Sequence, residues 1–278
     1  MSGSAGREGM AAREGMPGRE GIAGREGTAG REGMANTGGT SPFKGEAQGD
    51  PRGQQAQRPE QDGLAVHELH VITDGKQPWD RLIRIAAEIA PVVSAIHLRE
   101  PQAGAAMLCE LIGALTAAGV SLERLIVNDR ADVAWAMRTG GVQLGGRSLS
   151  AAQVRDRFPG LVYGRSVHRP EEAGDAAAQG ARYVLFGHVF ATPSKPGRPG
   201  RGVRELAAAV RCAATAAGVI AIGGIGTSQV AEVCAAGAAG IAVMSGIWEA
   251  ADPVEAARCY RAALDAYSVY AVRGEKQA

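Results

Sequence analysis

Residues 162–186 read VYGRSVHRPEEAGDAAAQGARYVLF, and the order of signals along them sets the fold class. Val162–Val167 is a short β-type run. Pro170, Glu171 and Glu172 follow almost at once, and a proline with two acids just past a polar residue marks a helix start. An alanine-rich helical pattern covers 170–179, and Tyr183–Phe186 is a second β-type run. Strand, helix, strand in this order predicts a parallel pair with a crossover helix. Within it the pentad GRSVH, Gly164–His168, ends at the handover from strand to helix. In a barrel of alternating strands and helices that handover is where catalytic side chains gather.

The same alternation extends in both directions. Strand-like runs are Glu68–Thr73, Ser94–Arg99, Arg124–Asn128, Gly141–Leu144, Val162–Val167, Tyr183–Phe186, Val219–Ile222 and Gly240–Met244. Helical patterns lie between them at 78–90, 103–118, 130–138, 150–157, 170–179, 203–216, 227–236 and 252–266. One unit per strand predicts an α/β fold, a single (β/α)8 TIM barrel, near the short end of its length range. A doubly wound open sheet is the alternative. It calls for a glycine fingerprint after the first strand, where the chain instead reads Thr73-Asp74-Gly75-Lys76.

Composition divides the chain. The triplet Arg-Glu-Gly recurs every six residues from Arg7, Arg13, Arg19, Arg25 and Arg31, followed by a Gly/Gln/Pro/Ser-rich stretch. Such hexads bury too little apolar surface to offset the entropy of ordering. Residues 1–63 are therefore expected to be a disordered low-complexity tail, with a later start, Met34 for instance, as the other explanation. Residues 64–270 form the barrel and 271–278 a short disordered end. A net charge of +1 over 278 residues and 4% aromatics give no footprint for nucleic acid or an anionic membrane. The four cysteines form no CxxC pair and read as buried thiols in a reducing compartment. With no apolar leader or spanning run, a cytoplasmic protein is expected. A homo-oligomer is left open.

Chemistry converges on the carboxyl ends of the strands. Ile222-Gly223-Gly224-Ile225 ends the seventh strand, and Met244-Ser245-Gly246 follows the eighth. Barrels bind phosphate at these two loops, where glycine lets backbone N–H groups come close to an anion; a plain tight turn is the alternative for each. Side chains alternate along a strand, so His97 shares a face with Arg99, and Gly164 and Ser166 share one with His168. Asn128 and Asp129 end the third strand, and His188 follows the sixth. Arg99 suits a substrate carboxylate or phosphate, or a structural salt bridge to Glu100 or Asp129. His188 sits in an apolar setting that suits packing as well as contact. The loop ATPSKPGRPGRG, Ala191–Gly202, carries Lys195, Arg198 and Arg201 and could close over an anion. His168 is the candidate acid–base, and Asp129 the one carboxylate a metal could use.

Several of these motifs together resemble a known family. GRSVH at 164–168, YVLFGHVF at 183–190, GRGV at 200–203, IAIGG at 220–224 and GIAVMSGI at 240–247 are similar to TenI, a thiazole tautomerase related to thiamin phosphate synthase. The resemblance runs from Leu69 to Tyr267 and leaves the N-terminal tail uncovered. It implies isomerisation of a carboxy-thiazole phosphate to its aromatic tautomer in thiamin biosynthesis, with no cofactor. It makes His168 the acid–base group and gives Gly223, Gly224, Met244, Ser245 and Gly246 to the phosphate. Arg99, Asn128, Ser166, His188 and Lys195 are then expected around the substrate.

The related synthase joins a pyrimidine diphosphate to a thiazole phosphate and needs Mg²⁺. Its second-strand motif resembles QLREK, and here the lysine is replaced by Pro101 in His97-Leu98-Arg99-Glu100-Pro101. Its LGQED segment reads Leu144-Gly145-Gly146-Arg147-Ser148, without an acid. Asn128-Asp129, Ser166 and Lys195 are retained, and Asp129 is a metal ligand only if the synthase reaction holds. A non-catalytic ligand-binding or regulatory barrel is a third possibility.

Overall fold

The computed structural model describes residues 67–275, with side chains through Ser268. The expected N-terminal tail lies outside these residues. Eight parallel strands close into a barrel: β1 (Glu68–Ile72), β2 (Ala95–Leu98), β3 (Leu125–Asn128), β4 (Gly141–Leu144), β5 (Tyr163–Val167), β6 (Tyr183–Gly187), β7 (Gly218–Ile222) and β8 (Gly240–Val243). Closure is made by β8 beside β1, with Glu68 opposite Gly240 and Val71 opposite Val243. The helices are α1 (Trp79–Ile89), α2 (Ala105–Ala117), α3 (Ala131–Ala136), α4 (Ala151–Arg157), α5 (Pro170–Ala178), α6 (Gly202–Ala213), α7 (Val230–Ala235), α8 (Ser245–Trp248) and α9 (Pro253–Glu275).

Strand alternation sorts the interior into two cores. Leu69 and Val71 on β1, and Val142 and Leu144 on β4, point outward into the layer between barrel and helices. Helices meet them with one apolar stripe each: Leu82, Ile85, Ala86 and Ile89 on α1, and Leu108, Leu111, Ile112 and Leu115 on α2. That spacing is the face of an amphipathic helix. The other strand face fills the lumen with Ile72, Tyr183, Leu185, Ile220 and Ala242. Buried polar side chains, including His70, His97 and Gln143, sit among these lumen-facing positions.

Two helix starts, those of α4 and α5, are capped by side chains. Ser150 Oγ accepts from the Gln153 N–H at 3.2 Å while Gln153 Oε1 accepts from the Ser150 N–H at 2.9 Å, a capping box on α4. On α5, Pro170 takes the first position and Glu172 reaches back to the His168 N–H at 2.7 Å.

Several expectations are corrected. Only Cys234 is buried; Cys109 is half-buried, and Cys212 and Cys259 are exposed. Alanine-rich helices do not mark their buried face, so a thiol among alanines can lie on the outer side. The stretch at 227–236 splits into a 3-10 turn, Thr227–Gln229, and α7. The last helix continues to Glu275, beyond residue 270 where the barrel was expected to end. No helix among the described residues is long and apolar enough to cross a membrane.

Candidate functional site

The carboxyl ends of the strands surround a cavity of about 1160 Å³. Arg99, Asn128, Asp129, Ser166, His168, His188 and Lys195 line it, with Gly223, Gly224, Met244, Ser245 and Gly246; Arg198 and Arg201, expected to close over an anion with Lys195, are not in its lining.

His168 stands at the end of β5, held from two sides. Its backbone N–H is fixed by Glu172, and its Nδ1 lies 2.7 Å from the Gly187 carbonyl oxygen. A carbonyl only accepts, so Nδ1 carries the proton, and in the neutral ring Nε2 keeps its lone pair. Burial pushes the Glu172 carboxyl up, but the His168 and Arg169 N–H groups and the Arg169 guanidinium outweigh this and hold it below its ordinary range. Arg201 Nε donates to the same Gly187 oxygen at 3.2 Å. The GRG segment thereby braces the carbonyl that orients the histidine. His188 is almost fully buried and donates from Nε2 to the Arg198 carbonyl at 3.2 Å. It is a satisfied histidine that also lines the cavity.

The glycine turn after β7 is built for close approach. Gly223 and Gly224 have φ of 98° and 68°, and a Cβ on Gly223 would lie 2.3 Å from His188 Cβ. The turn is paired to the loop after β6: Val189 N–H donates to the Ile222 carbonyl at 2.9 Å and Phe190 N–H to Gly223 at 3.0 Å. Beside it Met244 leads into the short helix α8.

The remaining wall is mixed in charge. Arg99 makes no ion pair among the described residues, so its alternative reading, a salt bridge to Glu100 or Asp129, is not formed, and the exposed side chain lines the cavity. Burial pushes the Glu100 carboxyl up; the Thr73 hydroxyl opposes this, Asp74 adds to it and Arg99 opposes it. Burial, then Arg198 and Arg201, lower Lys195 below its ordinary range, and an anion at this lysine would favour its charged form. Pro101 packs near Gly75, and Arg147 occupies the β4–α4 loop; both line the cavity.

Two lumen residues on the floor carry no role in the sequence reading, which placed His97 at the mouth without one and did not single out Gln143. Gln143 donates from Nε2 to Ser166 Oγ at 3.0 Å. His97 reaches the cavity from β2 and is held well below its ordinary value by burial and then by His70. Polar residues at inward positions of otherwise aliphatic runs were the available signal. Gly164 leaves the room they need, since a Cβ there would stand 2.3 Å from the Tyr183 ring and 2.5 Å from Gln143 Oε1.

Fold and mouth together define a (β/α)8 barrel with a polar, glycine-lined cavity at the carboxyl ends of its strands. The TMP-TENI family, described as thiamine monophosphate synthase, matches residues 69–247, and the chain belongs to that family. It is 38% identical over 200 residues to a thiamine-phosphate synthase of Anaeromyxobacter dehalogenans, covering 71% of this chain and 88% of that protein. It is 41% identical over 204 residues to a thiamine-phosphate synthase of Methanoregula boonei, covering 70% and 91%. Among solved structures, thiamine phosphate pyrophosphorylase from Pyrococcus furiosus superposes with a TM-score of 0.63 at 30% identity, covering 73% of this chain and 98% of that one.

Proposed function

We propose that this chain is the tautomerase of its family: it converts a non-aromatic carboxy-thiazole phosphate to the aromatic tautomer, with His168 as the acid–base group. The observation that carries this reading over the synthase reaction is the make-up of two loops. Pro101 lines the cavity where the synthase motif carries a lysine, and the Gly145–Ser148 stretch lines it without an acid where the synthase segment carries its second metal aspartate. A site that handles a diphosphate leaving group needs that lysine and a second metal carboxylate.

The synthase reading is favoured by the names of the relatives and by the retained Asn128-Asp129, Ser166 and Lys195. Its Mg²⁺ would supply charge stabilisation for departing pyrophosphate. The donor set does not fit that ion well. Asp129 lines the cavity together with the β4–α4 loop, whose Gly145, Gly146, Arg147 and Ser148 offer no second carboxylate.

In the tautomerase reading the proton leaves a carbon next to the substrate carboxylate and another returns at the exocyclic carbon. His168 Nε2 takes the first as a base and gives the second as an acid, while its Nδ1–H stays on Gly187. Gain of aromaticity drives the change, so the protein has mainly to hold the ring in place. Backbone N–H groups of Gly223, Gly224 and the Met244-Ser245-Gly246 segment hold the phosphate. Arg99 and Lys195 balance substrate charge, and Asn128, Ser166 and His188 contact the ring and carboxylate.

The purified chain, given the non-aromatic thiazole phosphate carboxylate, should accelerate aromatisation followed by ultraviolet absorbance. No acceleration over buffer overturns the reading, and Mg²⁺-dependent formation of thiamin phosphate from the two half-molecules would establish the synthase instead. His168→Ala should lower kcat by about 10²–10⁴-fold while phosphate affinity is kept. Tight binding with neither reaction would mark a non-catalytic barrel.

A further inference from the structure

Ser166 is held from below by a side chain that takes no part in the proton transfers. Gln143 on β4 stands opposite Gly164 on β5, so Ser166 is the next inward position of β5 toward the mouth. Gln143 is 2% exposed, and its Nε2 donates to Ser166 Oγ at 3.0 Å. Among the described residues the Ser166 hydroxyl has no other hydrogen-bond partner. Both side chains line the cavity.

The far side of the amide settles which way round it lies. A Cβ on Gly164 would stand 2.3 Å from Tyr183 Cζ and 2.5 Å from Gln143 Oε1, so the phenol and the amide oxygen crowd one spot. Burial, then the Glu68 charge, push the Tyr183 phenol up, so it keeps its proton and remains a donor. The amide therefore turns its oxygen toward the phenol and its NH2 toward Ser166. An NH2 group only donates, so Ser166 Oγ accepts. The single hydroxyl hydrogen of Ser166 is then left for an acceptor in the cavity.

We propose that Gln143 makes this cavity select a carboxylate: it holds Ser166 as a hydrogen-bond donor, and Ser166 grips a carboxylate oxygen of the ligand. Strand side chains two residues apart on one face stand about 6.5 Å from each other. A ligand carbon placed at His168 Nε2 thus has its attached carboxylate within reach of Ser166. A carboxylate only accepts, which suits the hydroxyl as Gln143 sets it. An amine in the same place would have to compete with Gln143 for the serine oxygen. Gln143 is a positioning residue, acting through Ser166. The inference rests on the tautomerase reading, whose substrate carries the carboxylate, and adds what recognises that group.

Calorimetry on the full chain tests it without turnover. The probes are the aromatic thiazole phosphate carboxylate and the same phosphate lacking the carboxylate. Wild type should prefer the first. Gln143→Met and Ser166→Ala should each weaken binding of the carboxylate by ~10-fold or more, with affinity for the second compound within about twofold. Added to Ser166→Ala, Gln143→Met should change carboxylate affinity by less than about twofold, because its effect runs through the missing hydroxyl. Equal losses for both compounds mark a structural role and overturn the proposal. Losses that add in full, or a wild type without preference, overturn it too. Should Gln143→Met fail to fold, Gln143→Asn, an amide too short to reach Ser166, decides by the same criteria. The reaction is judged apart from this. A chain that selects the carboxylate without accelerating aromatisation sinks the tautomerase and leaves the recognition pair standing, whereas aromatisation without that preference sinks the pair alone.

Discussion

His97 is 1% exposed and is kept neutral by burial and by His70, which gives the pH dependence of stability a definite sign. Its folded pKa lies below its ordinary 6.5, so between the two values the unfolded chain binds more protons. Stability therefore rises with pH through that window; the contribution is complete above the unfolded value and is lost as pH falls toward the folded one. One proton gives a slope of at most about 1.4 kcal/mol per pH unit. Replacing His97 with Gln, neutral at every pH, should flatten the decline in melting temperature below about pH 6.5 relative to wild type, read by thermal unfolding across pH. An equally steep decline in the variant would show that another group carries it. At this scale the sequence was legible where local signals sufficed: His168 follows from strand alternation plus a helix start. The His70–His97 contact did not, because it depends on the register that pairs Ile72 with His97 and His70 with Ala95, and register between two strands is written in neither.

Among elements, the β7–α7 turn is the most sharply determined. Gly223 combines φ of 98° with a Cβ position 2.3 Å from His188 Cβ, so Gly223→Ala meets both backbone strain and a collision. The expected cost is about 1–3 kcal/mol of stability, together with weaker binding of a phosphorylated ligand, measured by urea unfolding and calorimetry. If stability and affinity are both unchanged, the turn is not held as described. The double glycine was visible as a turn, and the following helix as a period. The four-residue helix α8 was not, since one turn of helix is too short to show a repeat. The end of α9 was missed too, because nothing near residue 270 stops a helix and the pattern simply becomes more polar.

For the molecule as a whole, one indole ties the closing seam. Trp248 on α8 is 2% exposed, and its Nε1 donates to the Ile72 carbonyl at 2.8 Å, joining the segment after β8 to the end of β1. Trp248→Ala should destabilise by about 3–5 kcal/mol. Trp248→Phe should cost less, roughly 1–3 kcal/mol, chiefly for the orphaned carbonyl. Both are checked by denaturant unfolding, and equal losses would mean that the hydrogen bond contributes nothing. Strict strand–helix alternation made the barrel readable, and the missing glycine fingerprint argued against an open sheet. That β8 meets β1 is a fact of closure, which no local pattern states. The separation of the two cores also bears on how such barrels evolve. Outward residues such as Leu69, Val71, Val142 and Leu144 hold the helices on, while the inward set, among them His70, His97 and Gln143, lines the cavity or stands just below it. Natural selection can therefore exchange one reaction for another through a few inward substitutions while the scaffold drifts slowly.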